Sequence, residues 1–237
     1  MQLELDLAFM QETFFLIWKG AGVTLTLTVL ALILAAPVAF YFAALRVCGH
    51  RVSGALVRGY VSLVRSTPLI LQILLLYSLL PSLLNVALRA LGLSVNVFEA
   101  VDPFWYAVFI FTINTIALMT ETFRSALIAI PRGQREAGLA SGLSEVQTYL
   151  HIIVPQALVV ALPSICNITV NLIKGTSLAF LMTVKDIMAI GKVAASYGYN
   201  YIEAYLDVFI VYLVLCTIVQ LIFHAAERRV GAFRSPS

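Results

Sequence analysis

Glu121 and Arg124 lie three residues apart inside an otherwise apolar run, and Asn167 and Asn171 lie four apart inside another. At helical spacing each pair shares a face. The first pair can form an ion pair, either as a structural tie or as part of a polar path. An ionisable group within an apolar span is a functional candidate by default. The asparagines can hydrogen-bond between helices or line the same path. Residues suited to covalent or metal chemistry are scattered. Cys48, Cys166 and Cys216 form no C-x-x-C, and His50, His151 and His224 have no partner at ligand spacing. No G-x-x-x-x-G-K-S/T phosphate loop is present. A membrane enzyme needs a nucleophile with its base, or a metal-ligand set, at membrane depth. We therefore expect no catalytic residue, no metal and no cofactor in this chain.

Composition says what must hold these side chains. The chain has 237 residues, 61% hydrophobic and 11% charged, against about 45–50% and about 25% in a soluble domain. So much apolar surface calls for lipid as the solvent. The net charge of +3 is spread along the chain, which argues against nucleic acid as a partner. Glu4, Asp6 and Glu12 occupy the place of a basic n-region, so the first residues are not expected to be a signal peptide. MQLELDLAFMQETFFLIWKG reads instead as an interfacial amphipathic segment.

Charge-poor runs near the spanning length of about 20 residues fall at about 20–45, 66–88, 103–130, 152–173 and 204–224. The apolar stretch 175–184 is too short to cross and is expected to be re-entrant or superficial. The fold class is therefore all-α, integral membrane, with five transmembrane helices. Arg46, Arg51, Arg58, Arg65, Arg132, Arg135, Arg228, Arg229 and Arg234 collect on one face. Lys19, Arg89, Lys174, Lys185, Lys192 and most acids collect on the other. The positive-inside bias makes the arginine face cytoplasmic, with the N-terminus outside and the C-terminus inside. It also sets the three histidines at the cytoplasmic boundary and the pieces 81–102 and 174–203 outside. No linker or internal repeat divides the chain, so residues 1–237 read as one domain.

The cytoplasmic segment 132–153 has its own punctuation. Pro131 suits the first position of a helix, RGQREAGLAS. Gly142 suits a left-handed C-terminal stop, and Ser144-x-x-Gln147 has capping-box form. Val146, Tyr149, Leu150 and Ile153 then share one face, and Pro155 opens the next span. By residues alone the element is a helix, a glycine hinge and a short amphipathic helix, which an ordinary interfacial turn between two spans would also explain.

Glu136-Ala137-Gly138, three residues, Gly142, nine residues and Ile152-Ile153-Val154-Pro155 resemble the EAA motif of permease subunits in ATP-binding-cassette (ABC) importers. That motif reads EAA, three residues, G, nine residues, I-x-L-P. Gly138 and Val154 depart from it and keep the size class or polarity. The resemblance implies a coupling helix that docks on a cytoplasmic ATPase subunit, with Glu136, Ala137, Gly138, Gly142, Ser144, Ile152 and Pro155 in the coupling role.

Three further stretches resemble the polar amino-acid uptake subfamily. Arg65-Ser66-Thr67-Pro68-Leu69 with Gln72 is similar to R-G-T-P-L-x-x-Q at the start of the second span. There Arg65 also suits a headgroup anchor at the cytoplasmic end of that span. Asn114 to Arg124 is similar to N-T-x-A-Y-x-x-E-x-x-R, with Leu118 for Tyr. Ala161-Leu162-Pro163, Asn167 and Asn171 to Ala179 resemble A-L-P, N and L-x-K-x-T-S-L. Pro163 is expected to kink or interrupt the fourth span. Path candidates are Gln72, Asn114, Glu121, Asn167, Asn171, Lys174, Thr176 and Ser177. The run KGTSLAFLMTVKDIMA followed by YIEAYLDVF is most similar to cystine-type permeases.

The resemblance implies the type I importer permease fold in a bacterial cytoplasmic (inner) membrane. The implied partners are two ATPase subunits that bind ATP and Mg, a second permease subunit as homodimer or related heterodimer, and an extracytoplasmic solute-binding protein. The competing reading is a secondary, ion-gradient-driven transporter. It would favour inverted repeats and more spans, and it leaves the EAA spacing without a role.

Overall fold

The computed structural model describes residues 5–49, 51–93 and 97–231, and every regular element among them is helical. Glu4, His50 and Arg234, used above, lie outside these residues. Five stretches are long and apolar enough to cross a membrane. Four correspond to α4 (Leu69–Ala90), α6 (Pro103–Ala129), α9 (Val154–Gly175) and α11 (Tyr201–Gly231). The remaining one joins α1 (Leu7–Trp18) to α2 (Ala21–Val47). The short helices are α3 (Arg51–Ser66), α5 (Val97–Ala100), α7 (Arg132–Ala140), α8 (Glu145–Thr148) and α10 (Ile187–Gly198).

Two compact units result. One is built from the described parts of Met1–Leu32, Thr67–Ile113 and Asn171–Ile218. In it, Leu27, Ile73, Ile110, Phe111 and Met182 are wholly buried together, and Ile17, Ile187 and Val211 form a second cluster. The turn between α1 and α2 needs glycine for closeness: a Cβ on Gly20 would stand 2.7 Å from the Ile187 nitrogen. Asp186 caps α10 beside it, its Oδ1 accepting from the Ala189 N–H at 2.8 Å and its Oδ2 from the Tyr212 hydroxyl at 3.2 Å. The other unit is built from the described parts of Ile33–Ser66, Asn114–Val170 and Val219–Ser237. Along α2, Leu27, Ala31, Ala35, Ala39 and Ala43 are wholly buried at four-residue steps, a small-residue stripe that admits close packing without a hydrophobic drive.

Several expectations are corrected. Residues 51–66 form a helix with Gly54, Val57, Val61 and Val64 buried. A search for charge-free runs misses it because an arginine recurs every seventh residue. The piece 174–203 holds a 3-10 helix, Thr176–Met182, with Thr176, Ala179 and Met182 buried, so of the two expectations for 175–184 the superficial one does not fit. It is followed by α10. The first helix, α1, exposes Leu7 and Phe15 and buries Ile17, so it is apolar on both sides instead of two-faced. Helix α9 continues through Pro163 without a break.

Pro131 is the N-cap of α7, one residue outside the helix, and Ser141 is the C-cap. Pro155 opens nothing. Helix α8 passes through a π turn, Tyr149–Ile153, straight into α9. Proline at 155 cannot donate to the His151 carbonyl and its ring would crowd that oxygen; a wider turn relieves both. The wider turn also shifts the face, so Ile153 is buried while Val146 and Leu150 are exposed.

Candidate functional site

The hairpin from Arg132 to Ile153 is fixed from within. Gly142 has φ +84, a conformation that costs other residues about 1–2 kcal/mol. Around it the Leu143 N–H donates to the Gly138 carbonyl at 3.2 Å, and the Gly142 N–H to the Leu139 carbonyl at 3.0 Å. These are bonds of a Schellman-type stop. The predicted capping box is present: the Gln147 N–H donates to Ser144 Oγ at 3.3 Å, and the Ser144 N–H donates to Gln147 Oε1 at 2.9 Å. Arg135 Nε donates to Glu145 Oε2 at 3.0 Å, a clasp absent from the sequence reading. The Glu145 carboxylate holds the Arg135 guanidinium more firmly protonated.

The two arms meet at Gly138 and Thr148, both buried. A Cβ on residue 138 would lie 2.6 Å from Thr148 Cγ2 and 3.0 Å from Ile152 Cδ1. Gly138 is thus a packing requirement set by Thr148, ten residues along the chain. Everything else from Pro131 to Gln147 is exposed save half-buried Leu143. Glu136 has no ion-pair partner among the described residues. Leu139, Val146 and Leu150 are exposed apolar side chains of the same segment. The motif residues thus divide into those that shape the hairpin (Gly138, Gly142, Ser144, Ile152, Pro155) and those left facing out (Glu136, Ala137).

A second feature lies in the same unit. A cavity of about 440 Å³ is lined by α6, α9 and Arg65, with Glu121, Thr122, Ser125 and Ser164 as its other polar walls. Glu121 pairs with Arg124, as the i, i+3 spacing suggests, and also with Arg46 at 2.6 Å. Arg46 is 75 residues away in sequence, so no local pattern could have found it. Arg65, in the last turn of α3 just ahead of α4, shares the cavity lining with α6 from Leu118 to Ala129 and α9 from Val160 to Ile168.

The other path candidates are not gathered into this cavity. Asn167, Asn171 and Lys174 are exposed at i, i+4 and i+7 on one face of α9. Asn114 is half-buried within α6. Gln72 Nε2 donates to the Thr67 carbonyl at 3.1 Å and to Thr67 Oγ1 at 2.8 Å, bracing the start of α4. Thr176 Oγ1 donates to the Ile173 carbonyl at 2.7 Å and Ser177 Oγ to the Lys174 carbonyl at 2.7 Å, satisfying carbonyls at the end of α9.

An all-helical bundle of five spans carrying this hairpin is the fold of a type I ABC importer permease. The chain superimposes on a crystal structure of an amino acid ABC transporter with histidines, with TM-score 0.80 and 24% identity over 96% of this chain and 100% of that one. It also superimposes on an inward-facing MetNI methionine ABC transporter, with TM-score 0.68 and 17% identity over 95% and 99%. The chain belongs to the family described as the binding-protein-dependent transport system inner membrane component, whose model matches residues 35–232. It is 34% identical over 219 residues to a probable amino-acid ABC transporter permease, PatM, of Vibrio harveyi, covering 91% of this chain and 93% of that one. It is 30% identical over 226 residues to the L-cystine transport system permease TcyB of Bacillus subtilis (94% and 90%) and 30% identical over 214 residues to the glutamine permease GlnP of Escherichia coli (90% and 92%). It is a multi-pass permease subunit of a bacterial inner membrane, a transport component rather than an enzyme.

Proposed function

We propose that this subunit carries a polar amino acid into the cell, with cystine the first substrate to try. Residues 132–153 dock on a cytoplasmic ATPase subunit that binds ATP and Mg. Two such ATPases act on a pair of permease subunits, either two copies of this chain or this chain with a related one. A solute-binding protein outside the cell delivers the substrate. The charge bias sets the N-terminus outside and the hairpin in the cytoplasm. The relatives that carry amino acids, L-cystine and glutamine support the substrate class.

The observation that carries the coupling role is the hairpin's division of labour. Its shape is fixed by internal bonds while Glu136, Leu139, Val146 and Leu150 face outward without internal work. A secondary transporter would have no use for such a surface. The test is co-purification with the ATPase and binding protein, then ATP hydrolysis in proteoliposomes screened across amino acids. Amino-acid-dependent hydrolysis and uptake are expected, and Glu136→Lys should abolish both while the subunit still inserts. Normal ATP-driven uptake by that variant would sink the coupling assignment.

A further inference from the structure

Past α9 the chain is wound more tightly than an α-helix. After Gly175 it continues as a 3-10 helix of seven residues, Thr176–Met182. Runs beyond about 3–4 residues are uncommon, because the hydrogen-bond geometry is poorer than in an α-helix. Thr183 then stops the helix at φ 61, one of two non-glycine residues with positive φ among those described. Its N–H donates to the Phe180 carbonyl at 3.0 Å, and the Val184 N–H donates to the Ala179 carbonyl at 3.4 Å. Glycine or asparagine is the usual residue at such a left-handed stop. A β-branched residue adopts it only at a steric cost. Two unfavourable choices are therefore adjacent, and strain of this kind persists only where the surroundings impose it.

Packing imposes it. Thr176, Ala179 and Met182 are buried at three-residue steps, and three residues per turn set them in one straight row. An α-helix would turn Met182 about 120° away from that row and shorten the segment by about 3 Å. The far end is anchored. Asp186 accepts from the Ala189 N–H and the Tyr212 hydroxyl, and Ile187 is wholly buried where Gly20 closes on its nitrogen. From the side, Lys192 Nζ stands 4.1 Å from the centroid of the Phe180 ring. The near end carries Asn171 and Lys174, exposed on one face of α9.

We propose that residues 176–183 are a two-setting joint, wound as a 3-10 helix here and as an α-helix at another stage of transport. The anchored end cannot follow a change of winding. Rewinding therefore turns the Asn171 and Lys174 face of α9 by about a third of a revolution and draws it in by about 3 Å. Thr183 sets the balance. The 3-10 setting carries its left-handed cost, and the α setting moves the helix stop and relieves it. The strain offsets the better packing of the 3-10 setting, so the gap between the two stays small enough to cross in each cycle.

Variants at Thr183 separate strain from contact. Glycine and asparagine accept a positive φ at less cost, so Thr183→Gly and Thr183→Asn should deepen the 3-10 setting. Both should melt about 2–8 °C higher and exchange amide hydrogens more slowly over 176–184. Uptake by the full complex should slow about 5–30-fold, the weight of a left-handed penalty removed from one setting only. Thr183→Val, still β-branched, should match the wild type in all three. Lys192→Gln releases Phe180 and should speed the same exchange. A raised melting temperature with unchanged uptake overturns the joint and leaves a strained helix stop. Slowed uptake in Thr183→Val as well overturns it in favour of a side-chain contact. Unaltered exchange over 176–184 in the Gly, Asn and Lys192→Gln variants overturns the two settings outright. Melting and exchange are read on the purified complex without added solute or ATP, so failure of the joint is distinct from failure of the amino-acid reading.

Discussion

Gly138→Ala is the sharpest single test of how the hairpin is built. The added methyl would stand 2.6 Å from Thr148 Cγ2 and 2.9 Å from Thr148 Oγ1, where ordinary contact begins at 3.4 Å. One arm must move by about 0.8 Å or Thr148 must leave its rotamer. Such overpacking costs about 1–3 kcal/mol, and the better helix propensity of alanine returns about 0.8–1.0 kcal/mol. The net loss should be about 0.5–2 kcal/mol, read as a melting shift of about 2–6 °C on purified subunit. Thr148 is wholly buried and its hydroxyl has no hydrogen-bond partner among the described residues, so Thr148→Ala gives up packing and no bond. It also removes both clashing atoms. The double variant should therefore be more stable than the sum of the single changes by about 1–2 kcal/mol, a coupling that distant sites do not show. ATP consumed per solute transported should worsen in Gly138→Ala and recover in the double variant. Additive melting shifts, or an unshifted Gly138→Ala, would refute the packing argument.

Glu121→Gln strips two guanidinium groups of their partner, whereas Arg46→Gln leaves the Glu121–Arg124 pair. The first should cost more, by about 1–2 kcal/mol on a thermal melt. Gly142→Val places a β-branched residue at φ +84 and should lower the melting temperature and uncouple ATP hydrolysis from uptake more than Gly142→Asn does. Burial raises the Asp186 carboxyl above its usual range, despite the N–H and hydroxyl groups that favour the charged form. A folded value above the unfolded one gives stability that is full below the unfolded value and is lost as pH rises through the folded one. Asp186→Asn should flatten that decline in a melt-versus-pH series, while Asp186→Ala should lower stability at every pH. Asp207 is buried with Oδ2 lacking a partner among the described residues, so Asp207→Asn should raise the melting temperature; a fall would mean that the carboxylate has a ligand.

What the residues disclosed, and what they hid, follows the range of each interaction. The five spans were legible because each is a long run with few charges, and Gly142, Ser144 and Gln147 because caps are local. Helix α3 was hidden by arginines that interrupt the apolar run without interrupting the helix. The continuity of α8 with α9 was hidden because Pro155 reads as a start signal, and only the preceding π turn lets a helix pass through it. Arg46 could not be joined to Glu121, nor Thr148 to Gly138, since both contacts come from packing. Asn167 and Asn171 were correctly placed on one face, yet sequence could not say that this face is exposed and contributes nothing to the cavity lining.

The internal fastening of the hairpin bears on association as well as on shape. A segment that folds only when it meets its receptor must surrender its freedom at that moment, which weakens binding per unit of surface. Here the left-handed Gly142, the capping box, the Arg135–Glu145 clasp and the seat of Thr148 on Gly138 have already taken that freedom away. The docking proposed above would therefore draw on a small rigid patch and still hold. A rigid patch also moves as one piece: force applied at Val146 enters α9 through a helix with no loose joint between them. On the proposed coupling role, the same stiffness would supply grip and stroke, and softening the hairpin should weaken both together.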